Sequence, residues 1–344
     1  MQTISAGERE RARRACTPWA RTCARDDGPA AWFRKALLAL CAVVASSPGA
    51  ASHSARPRVV SWAENSVDWN SRLGVEELRL GCSSPPEKCL KGARRYARQG
   101  GVNKITISMK APPDAIVEYA RQYALASDSG AQVKVIAISI DDFVRMMRKW
   151  QRGGLDKEAS VQVIEALVGV IKRANPELKF AITLYEDELG SELLRDSMLR
   201  KTIGPSVDRV SLYLHYRENV AGYHSYVREV RRLFPRAEIL AGVYAYDRRD
   251  YLPCSQRSRR KCTVAEELAL FEEALRVQTA MVQTGELDGF EFYPGHFGLE
   301  GLWKGWSNPE VCEEARRAQC VDLTLKMRAS VVRSLSELRK PISE

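Results

Sequence analysis

The feature that most constrains this chain is a recurring short strand followed by a helical stretch. Runs rich in β-branched or aromatic residues occur at Val59–Trp62, Lys104–Met109, Val135–Ile140, Phe180–Tyr185, Val210–Leu214, Ile239–Tyr246 and Phe290–Tyr293. Helical patterns fall between most of them, at Asp114–Ala126, Lys157–Ala174, Tyr223–Phe234 and Val264–Thr284, and a closing helix is predicted at Val321–Leu338. Thr263 and Glu266 spell a capping box before the fourth of these, and Gly285 follows it as a stop. Strands alternating with helices build parallel βαβ units. Seven such units predict an α/β fold of the (β/α)8 TIM-barrel type with one strand degenerate or missing. A dinucleotide fold is disfavoured, because no G-x-G-x-x-G follows an early strand.

Within the strands, side chains alternate between two environments. Ile105, Ile107 and Met109 oppose Lys104, Thr106, Ser108 and Lys110; Ile136, Ile138 and Ile140 oppose Ala137, Ser139 and Asp141. Val210, Leu212 and Leu214 oppose Ser211, Tyr213, His215 and Arg217, and Phe290 and Phe292 oppose Glu291 and Tyr293. In a barrel the bulky apolar set meets the helices and the other set points inward. The inward set is expected to grow more charged toward the C-terminal strand ends, where barrels place their chemistry.

Those ends carry Asp141-Asp142, Tyr185-Glu186-Asp187-Glu188, His215-Tyr216-Arg217-Glu218, Tyr244-Ala245-Tyr246-Asp247 and Glu291-Phe292-Tyr293, the last followed by His296, Trp303 and Trp306. Paired carboxylates supply the acid and the nucleophile or base of glycosidic cleavage. Tyr and Trp add flat apolar faces with polar tips, suited to sugar rings. The stretches Ile138-Ser139-Ile140-Asp141-Asp142-Phe143 and Gly289-Phe290-Glu291-Phe292-Tyr293 resemble those of glycoside-hydrolase barrels. The adjacent acids are similar to those of substrate-assisted N-acetylhexosaminidases. Glu186 and Glu291 resemble the acid/base and nucleophile of the large retaining barrel clan. The two likenesses imply different mechanisms. The D-x-x-D-x-D-x-E pattern of chitinases is absent, as is the Asn-Glu pair of the retaining clan, since Tyr185 precedes Glu186.

The resemblance implies Glu291 as one catalytic carboxylate, with Asp141, Asp142 or Glu186 as the other. Tyr185, Asp187, His215, Arg217, Tyr246, Tyr293 and Trp303 would contact substrate. Simpler roles compete at each position. Asp142 suits the N-cap of the helix that Phe143 begins, and Glu186 to Glu188 suit an acidic helix start. A charge at Glu291 needs a partner, for which Lys104 and Arg217 are candidates. Strict alternation turns Tyr185 and Asp187 inward and Glu186 outward. Two other functions stay open. One is a non-catalytic saccharide-binding envelope protein. The other is a metal-dependent hydrolase using Asp141, Asp142, His215, Glu291 and His296. No cofactor or metal is expected for the leading reading.

Arg34 and Lys35 precede an apolar run, Ala36 to Ala45, and small residues follow to Ala51. A basic flank, a short apolar stretch and a small-residue exit predict a secretory signal removed after Ala51. The run falls short of the ~20 residues a membrane span needs. Residues 1–51 are therefore expected to be leader and 52–344 a single barrel domain, secreted or periplasmic. Of nine cysteines, six lie past residue 51 as near neighbours: Cys82 with Cys89, Cys254 with Cys262, Cys312 with Cys320. Short-range pairs in an exported chain predict loop-stapling disulfides; zinc is disfavoured because C-x₂-C spacing is absent. The formal charge of +10 comes partly from the Arg-rich leader, and the remaining cations are interspersed with Glu. A solvated basic surface is expected, not a nucleic-acid site. The resemblance implies a carbohydrate substrate or ligand as partner, and a monomer is expected.

Overall fold

The computed structural model describes residues 56–62, 67–127, 132–244, 263–293 and 317–339, all within one compact unit, Ala55–Glu344. Eight strands are present among the described residues: β1 Arg58–Trp62, β2 Glu77–Cys82, β3 Lys104–Met109, β4 Lys134–Ile140, β5 Lys179–Tyr185, β6 Arg209–Tyr213, β7 Glu238–Tyr244 and β8 Gly289–Tyr293. Each pairs in parallel with the next, and β8 returns to β1, closing the ring. This is a (β/α)8 barrel with no missing strand. The strand that escaped the sequence pattern is β2. Its Glu-Leu-Arg-Leu-Gly-Cys run holds no β-branched or aromatic residue, so the usual strand signal is weak there.

The helices among the described residues are α1 Val67–Leu73, α2 Pro86–Gln99, α3 Pro113–Ala126, α4 Phe143–Arg152, α5 Lys157–Ala174, α6 Glu192–Arg195, α7 Ser197–Thr202, α8 Tyr223–Leu233, α9 Val264–Gln283 and α10 Arg317–Leu338. Their ends follow local chemistry. Proline opens α2 and α3, where its missing N–H costs nothing. At α9, Thr263 Oγ1 accepts from Glu266 N at 3.2 Å, and Glu266 Oε2 accepts from Thr263 N at 2.8 Å. Gly285, with φ of 74°, then turns the chain out of the helix.

The main apolar core lies between barrel and helices. Ile105, Ile107, Ile138, Ile140, Val210, Leu212, Phe290 and Phe292 all face it and are buried. Each large side chain so buried stabilises the fold by about 1.5–3 kcal/mol. Cys82, at the end of β2, is bonded to Cys89 in α2. Cys254, Cys262 and Cys312, and the side chain of Cys320, lie outside the described residues. No helix among the described residues is long and apolar enough to cross a membrane.

The inner face is polar, as the alternation predicts, but its charge does not simply rise toward the C-terminal ends. The first residues of β1, β2, β5, β6 and β7 form a charged floor. Arg209 donates to Glu77 at 2.6 Å and to Glu238 at 3.2 Å, and Lys179 lies 2.6 Å from Glu238. Arg58 adds ion pairs to both acids at 3.6 and 3.5 Å, and Thr106 donates to Glu77. Burial alone would raise the Glu77 carboxyl, but Arg209 and Thr106 outweigh it and hold it below the usual range. The seam of the ring needs glycine. Gly289 sits at φ 154°, and a Cβ there would lie 2.0 Å from the Arg58 carbonyl oxygen.

Candidate active site

Asp141 and Asp142 stand where β4 ends and α4 begins. The Asp141 side chain is 15% exposed and lies 3.6 Å from Lys110. Burial raises its carboxyl above the usual range. Arg79 and Lys110 oppose the shift, while Asp142 and Glu291 add to it. Asp142 occupies the N-cap position of α4, yet its side chain makes no capping bond. Its backbone is left-handed, with φ and ψ both 49°, and it is the sole non-glycine residue with positive φ among the described residues. Asp tolerates this region better than most residues. The carboxylate accepts a hydrogen bond from the Tyr185 hydroxyl at 2.7 Å, with Arg145 at 3.8 Å.

A continuous aromatic wall runs beside these acids. The Tyr185 ring stacks on His215 at 3.6 Å and 13°, and its hydroxyl lies 3.1 Å from that of Tyr244. Tyr244 meets Tyr213 at 4.8 Å and Tyr293 edge-on at 5.4 Å. Tyr293 in turn meets Trp62 edge-on at 5.3 Å. The wall thus spans β5, β6, β7, β8 and β1. Asp187 fixes the His215 ring through Nδ1 at 2.9 Å.

Beneath the wall lies Glu291, turned inward as the alternation predicts and only 1% exposed. Its partner is Arg79 at 2.7 Å, rather than Lys104 or Arg217. Oε1 also accepts from Trp62 Nε1 at 2.8 Å and the Tyr213 hydroxyl at 2.9 Å, and Oε2 accepts from Ser211 at 2.7 Å. Arg79 donates further to Thr183 at 2.7 Å and lies 4.5 Å over the Trp62 ring. Both oxygens of Glu291 are therefore already engaged by protein donors, and the side chain is closed off from solvent.

Two further expected site residues face away from the mouth. Glu186 is buried, and its oxygens accept from His215 N at 2.7 Å, Tyr216 N at 3.0 Å and Asn219 Nδ2 at 3.0 Å. It staples the loop after β6, which is the outward orientation strict alternation assigns. Arg217 is buried against Glu267 at 3.0 Å, the Tyr244 carbonyl at 3.0 Å and the Phe271 ring at 5.2 Å. Its guanidinium serves the β6–β7–α9 junction instead of a substrate. Glu188 is also buried, and burial, then Asp187 and Asp142, push its carboxyl up to about 8.

Ligand atoms of Glu186, Asp187 and His215 lie within 4.8 Å of one another. Glu186 fits a cation poorly, because both its oxygens already accept N–H bonds. The metal set read from the sequence does not gather: His215 goes to Asp187, Glu291 goes to Arg79, and His296 lies outside the described residues. Tyr246, Trp303 and Trp306 lie outside them too. Trp62, Arg79, Thr183, Ser211, Tyr213 and Tyr244 are the site residues to which the sequence assigned no role, although Ser211 and Tyr213 fell on an inward-facing set and Tyr244 at a strand end. Their signal was inward parity combined with register, since Val60 and Gly242 flank Glu291 on the neighbouring strands.

No protein-family profile matches the chain, and no curated protein matches it. Among solved structures it is similar to a glucosidase from Croceicoccus marinus, with 14% identity and a TM-score of 0.50 over 79% of this chain and 68% of that one. It is also similar to an exo-beta-1,4-mannosidase from Opitutaceae bacterium strain TAV5, with 12% identity and a TM-score of 0.51 over 81% of this chain. The chain spans 60% of that mannosidase. A domain of a thermostable chitinase from Pyrococcus furiosus overlaps at 13% identity and a TM-score of 0.47, over 84% of this chain and 98% of that one. At these identities the likeness to the glucosidase and the mannosidase establishes the shared barrel fold.

Proposed function

We propose that this protein is an exported glycoside hydrolase whose reacting groups are Asp141 and Asp142. One observation carries the reading: the Asp142 side chain forgoes the capping bond its position offers and accepts from Tyr185 instead. Forgoing an N-cap bond costs about 1 kcal/mol, and the orientation is held instead by the Tyr185 hydroxyl, with Arg145 of α4 at 3.8 Å. Asp141, raised by burial, is suited to keep its proton and deliver it to the leaving glycosidic oxygen. Asp142, held as an acceptor, is suited to steady the positive charge that develops on the sugar or to direct the attacking group. Of the wall, the half-buried Tyr244 and Tyr293 offer ring surface to a sugar, while the buried Tyr185 and Trp62 back them. Glu291 supports that wall from below through Trp62 and Tyr213. The barrel shared with a glucosidase and a mannosidase supports the same reaction class.

The test is turnover of a panel of oligosaccharides and aryl glycosides by the purified protein. Cleavage of at least one member, reduced about 100-fold or more in both Asp141→Asn and Asp142→Asn, is the expected result. Saturable binding of a saccharide without any cleavage would replace the enzyme with a carbohydrate-binding barrel. Export predicts loss of residues 1–51, which N-terminal sequencing of protein recovered outside the cytoplasm would read. An intact leader there would overturn that part.

A further inference from the structure

The contacts of Tyr185 are more specific than those of a packing residue in an aromatic wall. Its single hydroxyl proton goes to Asp142, since the carboxylate at 2.7 Å accepts. The Tyr244 hydroxyl, 3.1 Å away, is then the donor to Tyr185. Three groups from β7, β5 and the β4 end form one directed chain, Tyr244 to Tyr185 to Asp142. The Tyr185 ring is in turn fixed by the flat stack on His215, and Asp187 holds the His215 ring. Asp142 has given up its capping bond and adopts a left-handed backbone, so this chain is what meets its carboxylate from the barrel side.

We propose that Tyr185 is a positioning residue: its hydroxyl aims the Asp142 carboxylate across the mouth, with Tyr244 orienting that hydroxyl and His215 fixing the ring. The proposal rests on Asp142 being a reacting group, as argued above. Burial, then Tyr244, Asp141 and Asp142, raise the Tyr185 phenol well above its ordinary range, so the hydroxyl remains a donor wherever the protein is folded.

Tyr185→Phe keeps the ring and its stack while removing the donor. On a glycoside that the wild type cleaves, kcat is expected to fall about 10- to 100-fold with KM within about twofold, the size of a lost hydrogen bond to a charged group. Tyr244→Phe should fall less, and the double variant no further than Tyr185→Phe, because the two hydroxyls act in series. The second readout needs no turnover: the carboxyl carbon resonance of Asp142, assigned by its disappearance in Asp142→Asn. It is expected to move in Tyr185→Phe and in Tyr244→Phe, but not in Tyr123→Phe, a buried phenol on α3. An unmoved Asp142 resonance in Tyr185→Phe overturns the proposal whether or not the protein is an enzyme. Full kcat in Tyr185→Phe overturns it while leaving the hydrolase reading intact. A wild type that cleaves nothing, with the resonance still moved, removes the hydrolase reading and upholds the contact.

Discussion

Arg79 on β2 and Glu291 on β8 form an ion pair of 2.7 Å, each side chain 1% exposed. Such a pair stabilises weakly as a unit but strongly resists being halved, because removing one partner strands a buried charge. Glu291→Ala is therefore expected to cost about 3–5 kcal/mol in urea unfolding, and Arg79→Met a similar amount. The double variant Arg79→Met/Glu291→Met should cost less than either single change. A double variant as damaged as the sum would mean that the pair itself drives folding.

Gly242 sits in register with Tyr213 on one side and Glu291 on the other. A Cβ at position 242 would lie 2.2 Å from Tyr213 Cγ, so the ring crosses the space a side chain would fill. Gly242→Ala is expected to cost about 1–3 kcal/mol, typical of overpacking, and to displace the Tyr213 hydroxyl from Glu291. The loss of melting temperature and of near-ultraviolet aromatic dichroism would check it. An unchanged dichroic spectrum would show that the wall tolerates the methyl group.

With Asp141 as the acid proposed above, hydrolysis is expected to fall as pH rises through its raised ionisation, since that role needs the proton. Lys110 opposes that raise, and it is 60% exposed. Lys110→Met should therefore move the alkaline limb of the activity profile upward, by only a few tenths of a pH unit given solvent screening. A limb that moves downward would mean that Asp141 is not the acid.

Glu188, pushed up to about 8, makes stability pH-dependent on its own account. The folded state keeps this proton while the unfolded chain releases it near the ordinary Glu value. Glu188 therefore stabilises the fold most at low pH, and its contribution is lost as pH rises toward about 8. Melting temperature should drop across that window in the wild type and less so in Glu188→Gln. Equal slopes in the two proteins would assign the dependence elsewhere.

The Cys82–Cys89 bond closes a short loop, with a sequence separation of 7. By loop-closure entropy it contributes about 2.5 kcal/mol. Cys82→Ser/Cys89→Ser is expected to unfold at lower urea by that amount, under oxidising conditions. Indifference to the change would indicate that packing of α2 on β2 suffices.

Much of the architecture was readable from period-two alternation, which sorted inward from outward residues on β3, β6 and β8, and on β4 from Ala137 onward; at the start of β4 a register irregularity puts Val135 instead of Ile136 in the core. The capping box at Thr263 was equally legible, because its chemistry is local. The strand β2 was not, since Leu78, Arg79 and Leu80 carry little strand propensity. The Arg79–Glu291 pair was hidden for a different reason: its members are 212 residues apart, and only register brings them together. Asp142 shows where local reading ends. Its position reads as a helix cap, but its backbone is left-handed and its carboxylate goes to Tyr185, 43 residues away. Glu186 and Glu188 belong to an acidic run whose members look alike in sequence, although one is spent on stapling a loop.

Trp62 reaches Glu291 across 229 residues, from the first strand of the ring to the last. That bond exists only when β8 has docked against β1. Arg79, Asp141, Tyr185, Tyr213 and Tyr244 likewise arrive from separate strands. Closing loops of this length is entropically slow relative to forming local helices. A chain caught before β8 docks would hold Asp141, Asp142 and most of its tyrosines, but not Tyr293 or the Glu291 carboxylate that ties Trp62 and Tyr213 together. The complete mouth is thus the product of ring closure: the contacts that join its first strand to its last form with β8.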